Sequence, residues 1–243
     1  MNQFALNDDQ IAIQEMAQKF TADEITPHAS EWDEKKIFPR EAIQRAAELG
    51  FGGIYVSEEG GGIGLGRLEA AIIMEAMAYG CPSTSAFISI HNMAAWMIDK
   101  YGKAAVKEKY LDDLIPMQKM ASYCLTEAGA GSDAASLKTK AVQDGDDYLI
   151  TGKKQFISGG GENEIYVVMT RTSDDGAGGV TCFVVEKDME GVSFGAQEKK
   201  LGWNSQPTAQ VNFDGVRVPS ENMLGSVGEG FRIAMSGLDG GSL

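Results

Sequence analysis

The spacing of apolar residues divides the chain into a helical part, a strand-rich part and a short helical end. Up to about residue 118, apolar positions recur three and four residues apart, which is typical of amphipathic helices. The capping-box pair Asn7 and Gln10 predicts that the first helix begins after Asn7. Glycines are predicted to end the second and third helices, at Gly50 and Gly80. The five predicted helices carry "DDQIAIQEMAQKF", "REAIQRAAELG", "RLEAAIIMEAMAYG", "TSAFISIHNMAAWMIDKYG" and "AAVKEKYLDDL", and "SEEGGGIGLG" is a loop between helices.

From about Lys119 the pattern changes to the two-residue alternation of β-strands. Turn residues separate the predicted strands, and "DGDDY" is predicted to connect two of them as a hairpin. The predicted strands are "MASYCLTE", "AVQDGDDYLITGKKQFIS" on either side of that turn, "EIYVVMTRT", "VTCFVVE" and "AQVNFDGVRVP". A helical pattern returns at about Gly228.

These patterns predict an α+β multidomain protein with three parts. An N-terminal all-helical domain spans 1–118, a middle β-barrel or β-sandwich domain spans 119–226, and 227–243 begins a C-terminal helical domain. The sequence stops soon after this last amphipathic segment begins, so its burial partners are missing. We therefore expect a truncated larger protein rather than a frayed terminus.

The charge balance argues against two classes of partner. The chain has 21 basic and 35 acidic residues, a formal net charge of −14, whereas nucleic acids and anionic membranes select clusters of lysine and arginine. No apolar run approaches membrane-spanning length, and the N-terminus lacks a secretory or Arg-rich transit pattern. We expect a cytoplasmic protein, although a processed protein of the mitochondrial matrix would have the same features.

The cysteines and histidines do not form a metal-site pattern. Cys81, Cys124 and Cys182 lie far apart among apolar or small residues, so we expect reduced, packed thiols rather than catalytic ones. His28 and His91 have no neighbouring cysteines or carboxylates at metal-ligand spacing. No metal site is predicted.

One loop and one strand are the candidates for ligand binding. "YCLTEAGAGSDAAS" leaves a strand and enters a glycine loop, whose amides, with the Ser132 hydroxyl, could bind a diphosphate or merely turn the chain. Thr126 could donate to a planar ligand or to the backbone. Phe156 and Ser158 lie two residues apart on one strand face, an aromatic wall beside a donor that suits a heteroaromatic cofactor; a core phenylalanine is the alternative.

Three weaker candidates have ordinary structural explanations. "GGGIGLG" follows a helix rather than a strand, so we interpret it as a flexible connector and not a dinucleotide fingerprint. Lys199 and Lys200 could bind an anionic tail or could be solvated surface lysines. Ser85, Ser89 and Met93 share a helix face, which could form the bottom of an acyl pocket or belong to a packed core.

Several motifs in order resemble the acyl-CoA dehydrogenase family along essentially the whole chain. They are "YCLTEAGAGSDAAS", "GKKQFISGGGENEIYVV", "LGWNSQPTAQVNFDGVRVPSENMLG" and "GEGFRIAMSGLDGG". The resemblance implies a helical domain, a β domain and a C-terminal four-helix domain, assembled as a homotetramer. It also implies FAD, bound between the β domain and the C-terminal domain.

The resemblance implies particular residues for each ligand. Thr126 would bond the isoalloxazine edge, Ser158 would bond near flavin N5, and Ser132 would also touch the acyl-CoA. The implied flavin residues are Tyr123, Cys124, Leu125, Thr126, Gly131, Ser132, Phe156, Ile157 and Ser158, and the implied substrate residues are Ser132, Asp239, Gly240, Gly241 and Ser242.

The implied reaction is α,β-dehydrogenation of a short branched-chain acyl-CoA such as isobutyryl-CoA, with electrons passed to an electron-transferring flavoprotein. The catalytic glutamate would come from the C-terminal domain, so no residue of this chain is assigned as the base, and Glu127 is interpreted as structural. Ala128 stands where the family commonly has proline, and Ser242 where it usually has arginine. We therefore expect a catalytically incomplete chain; the alternative is a non-catalytic flavin- or CoA-binding module, or an interaction module, that retains the fold.

Overall fold

In the computed structural model, which describes residues 5–241, helices come first and strands follow. The predicted helices are all present, with α2 in addition. They are α1 (Asp8–Phe20), α2 (Ala29–Lys35), α3 (Arg40–Glu48), α4 (Arg67–Ala78), α5 (Pro82–Tyr101), α6 (Ala104–Leu114) and α7 (Gly230–Gly241).

The helix boundaries follow the local sequence signals. Asn7 Oδ1 accepts from Gln10 N at 2.8 Å, and Gln10 Oε1 accepts from Asn7 N at 3.2 Å, so the predicted capping box is confirmed. α1 then continues into a π-helical turn, Thr21–Ile25, which was not predicted. α3 ends just before Gly50, whose φ of +86° suits a helix terminus.

The strands form one mixed sheet. Its order is β6-β7-β3-β2-β4-β5-β8, and β1 pairs in parallel with β4. The predicted β2–β3 hairpin is confirmed, with Asp144 opposite Asp147. β6 and β8 were not predicted. The strands are β1 (Ala121–Cys124), β2 (Lys140–Asp144), β3 (Asp147–Ser158), β4 (Ile165–Arg171), β5 (Val180–Glu186), β6 (Val192–Phe194), β7 (Thr208–Pro219) and β8 (Met223–Leu224).

The central strand β4 is buried on both faces and separates two apolar clusters. Val167 and Met169 pack with residues of α5, α6 and α7. Tyr166 and Val168 pack in a second cluster with residues of β3, β5 and β7. A third cluster fills the helical part of the chain, around Phe51. Helices α5, α6 and α7 therefore cover one side of the sheet, while the other side packs on its own strands.

Two polar links join the helices to the sheet. Arg40 Nη2 lies 2.9 Å from Glu164 Oε1, and Glu164 Oε2 accepts from the Met120 amide at 2.9 Å. His91 Nδ1 accepts from the Ala121 amide at 3.0 Å, and its Nε2 donates to the Leu114 carbonyl. Both links hold the start of β1, the strand that leads into the candidate loop.

All three cysteines, and the histidine and carboxylate side chains that could join them as metal ligands, lie within the described range 5–241. Cys81, Cys124 and Cys182 are free and buried, as expected for packed thiols. Within this range, no three His, Cys, Asp or Glu side chains group as metal ligands. No helix in the described part of the chain combines the length and the apolar character that a membrane span requires.

Candidate functional site

The two candidate segments lie side by side. The Gln155 amide donates to the Thr126 carbonyl at 2.8 Å, and Ser122 Oγ donates to the Ser158 carbonyl at 2.7 Å. Asn163 Nδ2 donates in turn to Ser122 Oγ at 2.9 Å. The fold therefore brings residues 123–126, at the end of β1, next to residues 156–158, at the end of β3.

Within the first segment, side chains alternate between the two sides of the sheet. Tyr123 and Leu125 pack toward the helices, and the Tyr123 hydroxyl donates to the Ala234 carbonyl at 3.3 Å. Cys124 is buried on the opposite side, where desolvation raises the pKa of its thiol and keeps it protonated. Thr126, one residue beyond Leu125, is partly exposed. Thr126 is therefore the side chain of this segment best placed to face a ligand, while its neighbours pack the core.

The second segment contains a strained aromatic residue. Phe156 has φ +59°, which a bulky side chain rarely adopts, and its side chain is 61% exposed. A β-bulge causes this conformation, because pairing with β7 shifts by one residue between Lys154–Val211 and Ile157–Ala209. Ile157 stays in the core while the Phe156 ring points out, and the partly exposed Ser158 follows. Such backbone outliers concentrate at functional sites.

The glycine loop presents open backbone amides. Glu127 and Ala130 exchange backbone hydrogen bonds across a tight turn, and residues 131–133 are exposed beyond it. A Cβ placed on Gly131 would meet no atom within 4 Å. Among residues 5–241, no acceptor is found for the amides of Gly131, Ser132 and Asp133, and no partner for the Ser132 hydroxyl. Successive free amides of this kind can bind an anion.

A buried ion pair behind the loop was missed in the sequence. Lys154 is fully buried, and its Nζ lies 2.8 Å from Glu127 Oε1 and 3.0 Å from the Leu125 carbonyl. Glu127 also accepts from the Lys138 and Thr139 amides, which supports its interpretation as structural. Burial lowers the pKa of Lys154, and Glu127 opposes that effect. The alternation of β3 does place Lys154 inward, in phase with the buried strand residues, and this was the available signal.

The predicted substrate residues lie on α7 or beyond it. Asp239 is exposed, Gly240 and Gly241 end the helix, and Ser242 lies outside the described residues. α7 packs against α5 and β5, and its Ala234 carbonyl accepts the Tyr123 hydrogen bond. The helix is therefore anchored beside the first candidate segment, while the ligand roles of its last residues stay predictions.

The weaker candidates mostly have structural partners. The loop 60–65 is a connector held by backbone hydrogen bonds to residues 53–57, rather than a loose one. Lys200 is not simply solvated, because its Nζ donates to the Gln206 carbonyl and to Thr208 Oγ1. Met93 is buried against α7, and Ser85 Oγ donates to the Met74 carbonyl at 2.8 Å, which favours a packed core over an acyl pocket.

Comparison with known proteins gives one family. The model for "Acyl-CoA dehydrogenase, N-terminal domain" matches residues 7–118, and that for "Acyl-CoA dehydrogenase, middle domain" matches residues 122–216. The mitochondrial isobutyryl-CoA dehydrogenase of Dictyostelium discoideum is 54% identical over 239 residues, covering 98% of this chain and 58% of that protein.

Solved structures agree with this match. Butyryl-CoA dehydrogenase from Megasphaera elsdenii superposes with a TM-score of 0.92 at 35% identity, over 98% of this chain and 64% of that one. The FAD complex of PigA gives a TM-score of 0.92 at 28% identity, over 97% and 62% of the two chains. The chain thus spans less than two thirds of the length of these relatives.

Proposed function

The chain belongs to the acyl-CoA dehydrogenase family, and from this premise we propose that it forms the flavin- and thioester-binding part of an FAD-dependent acyl-CoA dehydrogenase. The observation that carries the proposal is the adjacency of residues 123–126 and 156–158, joined by the 2.8 Å bond from the Gln155 amide to the Thr126 carbonyl. Two strand ends with outward polar and aromatic groups suit a flat heteroaromatic ring. The FAD complex of PigA supports the choice of cofactor.

The residues present fit FAD chemically. The Phe156 ring offers an apolar wall, Thr126 and Ser158 offer hydroxyl donors, and the open amides of residues 131–133 suit a diphosphate or the CoA thioester. When bound, FAD supplies the two-electron acceptor that no side chain can provide. In this proposal the chain orients ring and thioester and excludes water from one side, with Ser132 shared by both ligands.

The proposed substrate is a short branched-chain acyl-CoA, specifically isobutyryl-CoA. The 54% identity with a protein named isobutyryl-CoA dehydrogenase supports this choice. The reaction belongs to valine degradation, and we propose that electrons leave to an electron-transferring flavoprotein. We further propose a homotetramer in the cytoplasm or, as the relative's name suggests, in the mitochondrial matrix.

We assign no proton-abstracting base within residues 1–243. Glu127, the glutamate nearest the loop, is held by Lys154 and by two backbone amides, so its carboxylate points away from the exposed side of the site. A base glutamate from a C-terminal helical domain remains our expectation. The thioester carbonyl would need fixed donors to stabilise the enolate that forms as the α-proton leaves.

Flavin titration tests the cofactor assignment. Thr126→Val and Ser158→Ala each remove one proposed donor, so we expect each to raise the Kd for FAD about three- to tenfold. Ser193→Ala is the matched control, because Ser193 is an exposed residue of β6 away from both segments. A wild-type chain that neither turns yellow nor binds added FAD contradicts the proposal.

A turnover assay tests the substrate. Oxidation of isobutyryl-, butyryl- and isovaleryl-CoA with a dye acceptor should be fastest for isobutyryl-CoA once a C-terminal helical domain is present on the same polypeptide. Flavin binding with no turnover in that longer polypeptide would favour the non-catalytic module instead.

A further inference from the structure

The buried pair Lys154–Glu127 connects the two ligand-facing segments from behind. Lys154 is the last residue of β3 before the bulge that turns Phe156 outward. Its ammonium group crosses to the first segment, where it donates to the Leu125 carbonyl at 3.0 Å and to Glu127 Oε1 at 2.8 Å. One side chain therefore sets the distance between the bulge and the end of β1.

Glu127 closes the base of the glycine loop. Its Oε2 accepts from the Lys138 amide at 2.7 Å, and its Oε1 accepts from the Thr139 amide at 2.9 Å. These amides lie at the far end of the loop 128–137, so one carboxylate holds both ends of that loop together. Arg171 also holds the end of this loop, because its guanidinium donates to the Leu137 carbonyl at 2.8 Å and to the Ala135 carbonyl at 2.6 Å.

We propose that Lys154 and Glu127 act together as positioning residues, fixing the glycine loop and the Phe156 bulge relative to each other so that both contact one cofactor. The inference rests on the proposed function, because it assigns a purpose to the segments as a flavin site. Neither residue touches the ligand in this proposal: both are on the buried side and act through Thr126, Phe156 and the loop amides.

A buried ion pair is a poor device for stability alone. Removing two charges from water is costly, and apolar residues of similar volume often serve equally well for stability. What an apolar pair cannot do is accept two amide hydrogen bonds and donate to a carbonyl in fixed directions. This difference separates a positioning role from a merely structural one.

Four variants make the test. Lys154→Met and Glu127→Gln each remove one charge, the double variant removes both, and Lys153→Met is the control at the exposed neighbouring position of β3. Three quantities are measured: the thermal midpoint, the Kd for FAD, and hydrogen exchange at the Lys138 and Thr139 amides in flavin-free protein. The exchange measurement needs no bound cofactor.

We expect each single variant to lower the midpoint, to speed exchange at both amides and to raise the Kd for FAD roughly tenfold or more, as loss of charged hydrogen bonds implies. In the double variant the thermal midpoint should return most of the way to the wild-type value. Exchange at the Lys138 and Thr139 amides should stay fast, and the Kd for FAD should stay high. Recovery of all three, or a Lys154→Met variant no different from Lys153→Met, would overturn the proposal.

Failure of the proposed function gives a different pattern. If the wild-type chain binds no FAD, the flavin assignment fails, and the exchange rates alone decide whether the pair closes the loop. If Lys154→Met does not fold, Glu127→Gln carries the test, because glutamine has the same shape and leaves Lys154 in place. Normal exchange in a folded Glu127→Gln protein would then refute the loop-closing role.

Discussion

At the scale of single residues, a substitution at Phe156 should change FAD binding more than it changes folding stability. A left-handed non-glycine residue costs on the order of 1–3 kcal/mol, and glycine removes that strain while adding freedom to the unfolded chain. Because the ring is mostly exposed, Phe156→Gly should leave the free energy of unfolding within about 1 kcal/mol of wild type. The Kd for FAD should rise about three- to tenfold, since a stacking wall is lost.

Urea denaturation of flavin-free protein and flavin titration check the two halves of this prediction. Phe156→Asn is the control for backbone strain, because asparagine tolerates the left-handed region. A Phe156→Gly variant that is destabilised by more than about 2 kcal/mol would mean that the ring is a packing residue, contrary to its exposure.

His91 should make folding sensitive to moderate acidity. Burial lowers the pKa of its imidazole to about 4, even though the Leu114 carbonyl favours the charged form. The pKa in the unfolded chain is about 6.5, so the unfolded state binds the proton first as pH falls. His91 therefore contributes its full stability above pH 6.5, and that contribution is lost progressively toward pH 4, by about 3 kcal/mol in total.

Urea denaturation at pH 7.0, 5.5 and 4.5 measures this loss, and His91→Gln serves as the comparison. Carboxylates also titrate in the lower part of this range, so the relevant quantity is the difference between wild type and variant. That difference should shrink steadily as pH falls. A difference independent of pH would show that His91 does not titrate as its burial requires.

The residues of the candidate site were only partly predictable. Strand alternation places Phe156 and Ser158 on one face, as predicted, but it assigns that face to the buried Lys154 as well. In the structure the bulge after Lys154 reverses the phase, so Phe156 and Ser158 are the less buried residues and Ile157 lies in the core. The left-handed conformation of Phe156 depends on a register shift against β7, more than fifty residues away in the chain. No local pattern encodes such pairing, because the bulge is fixed by the partner strand.

At the scale of secondary-structure elements, the β2–β3 hairpin should depend on a single glycine. Gly145 is the first of two residues between the opposed Asp144 and Asp147, with φ +64°. A Cβ there would meet no atom within 4 Å, so the effect of Gly145→Ala is conformational rather than steric. We expect it to lower the free energy of unfolding by about 1 kcal/mol.

Chemical denaturation measures that loss against Asp146→Ala, the neighbouring loop position, whose φ is not positive. The control should stay within about 0.5 kcal/mol of wild type, as expected for an exposed substitution. Equal losses in the two variants would indicate that the turn needs no left-handed residue.

Elements with strong periodicity were predicted, and short elements were not. Six helices and six strands match their apolar patterns, because each buries a face against the core. β6 and β8 contain three and two residues, too few for an alternation to be visible, and they exist because β7 and β5 offer them an edge. The parallel pairing of β1 with β4 likewise reflects tertiary packing rather than local sequence.

At the scale of the whole molecule, the helical and strand-rich parts share one apolar cluster. Met97 from α5, Leu111 from α6, Val167 from β4 and Ile233 from α7 belong to the same buried set. If either the helical part or the strand-rich part unfolded alone, the residues that the other part contributes to this cluster would be exposed to water. We therefore expect residues 7–118 and 122–216, although matched by separate family models, to unfold together.

Tyr110 provides the sharpest test of that coupling. Its hydroxyl donates to Glu186 Oε1 at 2.9 Å and accepts from Asn222 Nδ2 at 3.0 Å, so it ties α6 to β5 and to the turn before β8. Tyr110→Phe removes both bonds at a buried position, while Asn222 keeps its bond to the Val184 carbonyl. The expected loss in free energy of unfolding is about 1–3 kcal/mol.

If the two parts unfold as one unit, this loss of free energy shifts the unfolding midpoint by the same amount whichever spectroscopic signal is used to follow it. Far-UV circular dichroism follows helices and strands throughout the chain, and fluorescence follows the three tryptophans, Trp32 in α2, Trp96 in α5 and Trp203 between β6 and β7. Both signals should give one midpoint. Tyr79→Phe, at a side chain that is 84% exposed, should leave that midpoint unchanged. Separate midpoints in Tyr110→Phe would mean that the two parts unfold independently, and that the shared cluster does not couple them.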